Sequence, residues 1–191
     1  MNNTYYILRH GNSLANKEGI ILSNLELGVK EYGLTEKGRD DIYKSVQNLI
    51  NSGSITKEVV IISSPFKRTK ESALIASELF NVRDITYTED LKERFFGEFD
   101  LKSKSNYKLI WDLDSHNPEH QEFGVESVNH VLSRAMAVVN RCEKMYMDKI
   151  VILVTHGDTA QILECGFKNM NPRFHRSLKT VEQAEYRLLN I

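Results

Sequence analysis

The sequence predicts an α/β fold, a three-layer sandwich in which helices flank a mostly parallel central sheet. Short β-rich runs alternate along the chain with segments whose apolar residues recur at helical spacing. The runs Glu58–Ile62 and Ile150–Thr155 are almost continuously apolar, which is typical of strands buried on both faces of a parallel sheet. No repeat, low-complexity tract or linker interrupts the 191 residues. We therefore expect one domain, 1–191, with a short insertion at about 100–124.

The first half of the chain predicts three strands and two long helices. Thr35 is a good N-cap, because a threonine hydroxyl can accept a hydrogen bond from a first-turn N–H group. The helix after it carries Ile42, Val46 and Leu49 on one face. In order we predict the strand Thr4–Leu8, polar loop material through Gly33, the helix after Thr35, the strand Glu58–Ile62, a helix over 67–80 and the weaker strand Ile85–Tyr87.

The second half predicts the remaining helices and strands. The segment 100–124 shows the least regular pattern, and we interpret it as an irregular insertion over the sheet edge. After it we predict a long helix over Val125–Met147, the strand Ile150–Thr155, a helix over 159–167 and a last strand at Tyr186–Leu189.

Charge and composition exclude several classes of partner. Lys and Arg number 25 against 26 Asp and Glu, a net charge of -1, so no overall field attracts nucleic acid or an anionic membrane. The amino terminus lacks the pattern of a signal peptide, and no apolar run approaches the roughly 20 residues that span a bilayer. Cys142 and Cys165 lie within apolar helical patterns, typical of buried free thiols in a reducing compartment. We expect a cytoplasmic protein, with a homodimer as one option.

Three predicted strands end in polar, reactive side chains. The first ends in Arg9-His10-Gly11, the second in Ser63-Ser64 with Arg68 one turn into the next helix, and the third in Thr155-His156-Gly157. Parallel strands bring their carboxyl ends to one edge of a sheet, where ligands bind in such folds. Each feature alone is typical of a solvated surface. The three together predict two histidines and two arginines in one pocket, an arrangement suited to phosphate.

Five blocks that cover most of the chain, in a specific order, carry a family resemblance. They are RHGNSLAN, SSPFKRTKESA, LKERFFGEFD, VESVNHVLSRA and VTHGDTAQIL. This set resembles the histidine phosphatase superfamily, also called phosphoglycerate mutase-like, and so implies that family's fold and its phosphoryl-transfer chemistry.

The resemblance implies roles at the matching positions. His10 would take a phosphoryl group to form a phosphohistidine, and Arg9, Arg68 and His156 would grip the phosphate. Glu93 would protonate the leaving oxygen and then activate water. The implied set of substrate-binding residues is Gly11, Ser13, Asn16, Lys104 and Gly157.

These residue types suit the implied chemistry. A neutral imidazole is a competent nucleophile, and nearby cations favour the neutral form of His10. Guanidinium groups match phosphate oxygens, and the Gly11 turn would let backbone N–H groups approach an anion. Glu93 would need a raised pKa to act as an acid, as expected beside a phosphate and apolar Phe95 and Phe96. Such a site requires no metal and no cofactor.

Two other signals concern metals and the pocket. HNPEH at 116–120 fits a zinc-peptidase pattern, but Pro118 opposes the helix that this pattern needs, so we predict a polar loop. His175 and Arg176 either reach the pocket or cap the last segment.

The resemblance leaves phosphatase and mutase open, and we favour a phosphatase of small phosphorylated metabolites. Mutases of this family carry a longer insertion with an adjacent arginine pair, and no Arg-Arg occurs here. Lys104 stands where mutases place a substrate-binding lysine, which keeps a phosphoglycerate mutase as the alternative. A non-catalytic phospho-ligand module would be expected to lack His10 or Glu93, and both are present. Sugar phosphates, a bisphosphate and phosphopeptides remain open as substrates.

Overall fold

The computed structural model describes residues 1–190 and confirms the predicted α/β sandwich. Five strands form one sheet of order β3-β2-β4-β1-β5. The first four strands run parallel, and β5 pairs with β1 in the antiparallel sense. Each strand lies within one residue of its predicted bounds. The strands are β1 (Thr4–Arg9), β2 (Val59–Ser63), β3 (Ile85–Tyr87), β4 (Ile150–Thr155) and β5 (Tyr186–Leu188).

Seven α-helices occur within the same residues. Two of them lie where we predicted only polar loop, because helices of five and six residues are too short to show an apolar period. Ser13 and Asn24 cap their amino ends instead. The helices are α1 (Leu14–Glu18), α2 (Leu25–Lys30), α3 (Glu36–Asn51), α4 (Lys67–Phe80), α5 (Tyr107–His116), α6 (Val128–Met145) and α7 (Gly157–Phe167).

The helices form two layers because strand side chains alternate between the faces of the sheet. Tyr5 and Ile7 of β1 face the layer that contains α6 and α7. Tyr6 and Leu8 face the opposite layer, with Ile42 of α3 among their neighbours. Both faces are therefore buried in the centre of the sheet, as the apolar strands predict.

The segment 100–124 is more regular than predicted. It contains α5, whose Ile110 is completely buried in a small apolar cluster with Ile21, Phe96 and Val125. The expectation of irregular structure was wrong because Tyr107, Ile110 and Leu113, spaced three residues apart, pack in this cluster and hold the helix in place. This helix forms one wall of the candidate site.

Two of our predictions concern the cysteines and membrane-spanning helices. Cys142 and Cys165 are both buried and free, as predicted. Across residues 1–190 we find no helix with the length and apolar character needed to cross a bilayer.

Candidate active site

The ends of β1, β2 and β4 meet at one edge of the sheet, as predicted. β4 lies between β1 and β2, with Arg9 level with Thr155 and Ser63 level with Val154. The backbone N–H of His10 donates to the Thr155 carbonyl at 3.0 Å. This register places the residues that follow each strand next to one another.

His10 is buried and has a defined tautomer. Its Nδ1–H donates to the Gly11 carbonyl at 2.7 Å, so Nε2 carries the lone pair. The Nε–H of Arg68 points at this Nε2 from 3.1 Å. Burial, followed by the positive charges of Arg68 and Arg9, lowers the pKa of His10 well below its usual 6.5. His10 is therefore a neutral imidazole at neutral pH, and its Nε2 lone pair accepts from Arg68 Nε.

His156 faces His10 across the strand ends. The two ring centroids are 5.2 Å apart. The Nε2–H of His156 donates to the Ser64 hydroxyl at 2.8 Å, while its Nδ1 accepts from Arg68 Nη2 at 3.0 Å. Burial and the Arg68 charge lower the pKa of His156 well below its usual value. Both imidazoles are thus neutral and oriented by fixed partners.

Arg68 joins the two histidines from the first turn of α4. Its Nε–H is shared between the two rings, and its Nη2 also donates to the Leu22 carbonyl at 3.0 Å. Burial lowers its pKa to about 10, so the guanidinium remains charged at neutral pH. Its Nη1 is buried with no hydrogen-bond partner among residues 1–190, which is rare for a buried polar atom.

Arg9 supplies a second donor of this kind. Its Nη1 donates to the Val181 carbonyl at 2.7 Å, and its Nε is buried without a partner in the described chain. Gly157 makes room for this side chain, because a Cβ at that position would lie 3.1 Å from the Arg9 Cζ. Arg9 Nε and Arg68 Nη1 are therefore two buried donors on charged guanidinium groups, which suits them to bind an anion.

Glu93 is buried near these groups. Its Oε1 accepts from the Arg94 N–H at 3.0 Å and from the Thr159 hydroxyl at 3.3 Å, and Oε2 has no hydrogen-bond partner within residues 1–190. Burial and, next in size, the negative charge of Asp158 raise the pKa of Glu93. We expected the raised pKa but attributed it to a phosphate and neighbouring phenylalanines; the charged neighbour is Asp158.

A cavity of about 120 Å³ adjoins Glu93 and Arg9. Tyr107 and Trp111 of α5 form one wall, with their rings stacked 5.1 Å apart. Arg176 lies over the Trp111 ring at 3.7 Å. The complete lining is Arg9, Glu93, Tyr107, Trp111, Gly157, Asp158, Gln161, Arg176 and Thr180.

A buried ion network behind this cavity was missed by the sequence analysis. Arg94 donates two hydrogen bonds, at 2.6 and 2.7 Å, to Asp114, and both side chains are completely buried. Arg94 Nη1 also reaches Asp158 at 3.5 Å, and Trp111 Nε1 donates to the same carboxylate at 3.0 Å. Nothing in the charged run around Arg94 distinguishes it from a solvated residue. The i, i+4 spacing of Tyr107 and Trp111 is the one local signal of an ordered wall.

The last segment resolves the two options stated for His175 and Arg176. Arg176 reaches the cavity. His175 is completely buried; its Nδ1–H donates to the Pro172 carbonyl at 2.9 Å, and its Nε2 lies 3.9 Å from Asp158 Oδ1. His175 therefore packs behind Asp158, which lines the cavity.

Several residues implied as substrate-binding lie apart from the cavity. Ser13 and Asn16 cap α1 reciprocally: Asn16 Oδ1 accepts from the Ser13 backbone and hydroxyl. Lys104 is exposed, and its backbone N–H donates to the Gly19 carbonyl. Gly11 donates its N–H to Ser72, and a Cβ there would lie 2.3 Å from the Gly38 carbonyl oxygen. Packing against the Gly38 carbonyl therefore leaves no room for a side chain at position 11.

The histidines of HNPEH do not share a face. α5 ends at His116, whose ring bonds the Asp112 carbonyl, whereas buried His120 contacts Asp114 at 2.7 Å. Residues 1–190 contain no group of three His, Cys, Asp or Glu side chains placed to hold a metal ion.

Comparison with known proteins places this geometry in a family. The family model for the histidine phosphatase superfamily (branch 1) matches residues 5–191. A metal-independent phosphoserine phosphatase of Arabidopsis thaliana is 26% identical over 159 residues, which are 79% of this chain and 63% of that protein. This chain therefore spans less than two thirds of that relative.

Two further proteins extend the comparison. A probable phosphatase of Schizosaccharomyces pombe is 26% identical over 164 residues, 85% of this chain and 72% of the relative. A mycobacterial glucosyl-3-phosphoglycerate phosphatase has the same fold, with a TM-score of 0.78 at 18% identity and coverage of 97% of this chain and 96% of that one.

Proposed function

This chain belongs to the histidine phosphatase superfamily, and from that premise we propose that it is a metal-independent phosphatase of small phosphomonoesters that acts through a phosphohistidine on His10. The names of both sequence relatives support phosphatase chemistry. The proposed site combines His10, Arg9, Arg68, His156 and Glu93.

The observation that carries this proposal is the pair of unsatisfied donors beside His10. Arg9 Nε and Arg68 Nη1 are buried without partners in the described chain, and a buried charged donor without an acceptor is costly. A phosphoryl group provides three oxygen acceptors and the matching negative charge. Bound there, it would lie next to His10 Nε2, whose lone pair accepts from Arg68 Nε, and would be stabilised during transfer.

In the first step His10 Nε2 attacks phosphorus. The P–N bond forms as the bond between phosphorus and the ester oxygen breaks, and Glu93 gives its proton to the departing oxygen. The Nδ1–H of His10 stays on the ring, held by the Gly11 carbonyl. Transfer to the enzyme divides one difficult hydrolysis into two easier steps.

In the second step the Glu93 carboxylate takes a proton from water as that water attacks phosphorus. The P–N bond breaks, inorganic phosphate leaves, and Glu93 and His10 return to their starting protonation states. The raised pKa of Glu93 supports both roles, because a group that serves as acid and then as base works best when its pKa lies close to the working pH.

The phosphatase is preferred over the phosphoglycerate mutase on one observation. Lys104 was the residue in favour of a mutase, and its side chain is exposed. The cavity of about 120 Å³ is well below the roughly 300–1,000 Å³ of pockets that enclose drug-sized ligands, which supports a small substrate. This size argues against a phosphopeptide.

The test is hydrolysis of p-nitrophenyl phosphate with and without EDTA, by wild type and His10→Ala. We expect equal wild-type rates with and without chelator, and a loss of at least about 10³-fold in kcat for His10→Ala. His116→Ala, which removes an exposed histidine, is the matched control and should retain the wild-type rate. Undiminished turnover by His10→Ala would remove His10 from the proposed role, and rapid interconversion of 2- and 3-phosphoglycerate would indicate the mutase.

A further inference from the structure

The segment that carries Glu93 is held in place by side chains from other parts of the fold. Glu93 itself belongs to no helix or strand. Arg134 of α6 donates to the Lys92 carbonyl at 2.9 Å. Thr155, the last residue of β4, donates its hydroxyl hydrogen to the Leu91 carbonyl at 2.7 Å. These contacts fix the backbone that precedes Glu93, but they do not touch its carboxyl group.

Thr159 contacts both this backbone and the carboxyl group. It is completely buried in the first turn of α7. Its backbone N–H donates to Glu93 Oε1 at 3.4 Å. Its hydroxyl hydrogen is shared between the same oxygen, at 3.3 Å, and the Lys92 carbonyl, at 2.8 Å. Because N–H groups in the first turn of a helix have no partner within the helix, this donation costs α7 no hydrogen bond.

The two carboxyl oxygens of Glu93 consequently have different surroundings. Oε1 accepts from the Arg94 N–H at 3.0 Å as well as from Thr159. Oε2 has no partner within residues 1–190 and does not belong to the fully buried unpaired side-chain atoms of that range, so it retains access to the cavity that Glu93 lines. In a neutral carboxyl group, the oxygen that receives N–H hydrogens acts as the carbonyl oxygen, and the other oxygen carries the proton.

We propose that Thr159 is a positioning residue for the acid: it holds Oε1 of Glu93 against α7, so that Oε2 carries the proton that is given to the leaving oxygen. The inference rests on the proposed phosphatase function and deepens it. The proton moves from Oε2 to the ester oxygen as the P–O bond breaks and the P–N bond to His10 forms. The carboxylate that remains keeps its contacts with Thr159 through Oε1.

The place of Thr159 in the chain explains why it suits this role. It follows His156 by three residues, at the start of the helix that leaves β4. The first turn of α7 therefore connects the acid to the strand end that carries the proposed phosphate site. A small displacement of a proton donor can cost a large factor in rate, and a rigid connection of this kind limits that displacement.

The test uses two esters that differ in their need for an acid. Thr159→Val removes the hydroxyl but keeps the backbone N–H and nearly the same volume. In a single turnover, release of glycerol from glycerol 3-phosphate should slow by about tenfold, because the carboxyl group is less well oriented. Release of p-nitrophenolate, which leaves without a proton, should slow by less than about twofold. Thr159→Ser keeps the hydroxyl and should retain the wild-type ratio of the two rates, measured by rapid quench.

Thr155→Val is the matched control for a merely structural effect. It removes another buried threonine hydroxyl that binds a carbonyl of the same segment, without a contact to the carboxyl group. Thermal unfolding should show a lower Tm for both valine variants, because each loses a buried hydrogen bond. The ratio of glycerol to p-nitrophenolate release should nevertheless change in Thr159→Val alone.

Glu93→Gln, measured beside these variants, separates failure of this inference from failure of the proposed function. If Glu93→Gln selectively slows glycerol release while folded Thr159→Val keeps the wild-type ratio, the role of Thr159 is overturned and the phosphatase stands. An equal change of ratio in Thr155→Val, or no rescue by Thr159→Ser, would overturn that role as well. Slowing of both esters to the same extent by Glu93→Gln, or wild-type turnover of neither ester, would overturn the proposed function itself.

Discussion

The two walls of the candidate site differ in how the chain builds them. The strand-end wall consists of His10, Arg68 and His156, which follow or lie near the ends of three adjacent parallel strands. The insertion wall consists of Tyr107 and Trp111 on α5. Sheet register brings the residues of the first wall to one edge of the sheet, whereas the second depends on side-chain contacts between segments far apart in sequence.

The buried ion network supports the insertion wall. Asp114 of α5 binds Arg94, which adjoins Glu93 and also approaches Asp158. The insertion is thereby connected to the proposed acid. This contrast supports a division of roles within the proposed function, in which the strand ends would carry the phosphoryl chemistry and the insertion would shape the space for the leaving group.

The largest effect should come from Glu93→Gln, which removes the proposed proton donor. Release of an alkyl alcohol in a single turnover should slow by about 10²- to 10⁴-fold, because the departing oxygen then lacks its proton donor. Release of p-nitrophenolate should slow much less, since that group leaves without a proton. Rapid-quench kinetics measure both rates; equal slowing of the two esters would contradict the role of Glu93 as an acid.

Asp114→Asn tests the insertion wall through stability. It leaves the completely buried Arg94 guanidinium without its charged partner, and breaking a buried pair in this way costs about 3–5 kcal/mol. Urea denaturation should show that loss in the free energy of unfolding. Asp112→Asn on the same helix is the control and should change stability by less than about 0.5 kcal/mol; a similarly small effect of Asp114→Asn would show that the network does not hold the wall.

Acidification should lower the free energy of unfolding through the two histidines of the strand-end wall. The unfolded chain binds protons on His10 and His156 near pH 6.5, while burial and nearby arginines lower both pKa values in the folded protein. Below pH 6.5 the unfolded state therefore binds more protons than the folded state. The free energy of unfolding decreases as the pH is lowered, by up to about 1.4 kcal/mol per pH unit for each histidine. Glu93 acts in the opposite direction, because its raised pKa favours the folded state when it gains a proton.

Urea denaturation between pH 7.5 and 5.5 measures this dependence. His10→Gln should flatten the slope relative to wild type, whereas His116→Gln, at an exposed position, should leave it unchanged. A slope that is identical in all three proteins would show that His10 is not held neutral by the fold.

The smallest effect should come from Lys104→Gln. Its side chain is exposed, so kcat/KM for 3-phosphoglycerate should change by less than about twofold, the usual effect of a surface substitution. A tenfold loss would place Lys104 at the substrate and reopen the mutase alternative.

The strand-end wall was predictable because its signals are local. Apolar runs locate β1, β2 and β4, and parallel pairing determines that His10 and His156 meet. Their ring separation of 5.2 Å agrees with that expectation.

The insertion wall was not predictable by the same reasoning. Asp114 is an isolated carboxylate in a polar segment, and its burial depends on Arg94, 20 positions away. Arg176 comes from the other end of the chain and reaches the cavity over Trp111. No periodicity within a segment reports such pairings, because burial of a charge depends on a partner that local sequence does not reveal.

Trapping of the covalent intermediate tests the central claim most directly. Wild-type protein would be mixed with p-nitrophenyl phosphate, quenched with alkali within milliseconds, and digested for mass spectrometry under conditions that preserve phosphohistidine. We predict one phosphoryl group on the peptide that contains His10, formed as fast as p-nitrophenolate appears. Hydrolysis that proceeds with no phosphorylated peptide, or with the phosphoryl group on His156 instead, would contradict the account.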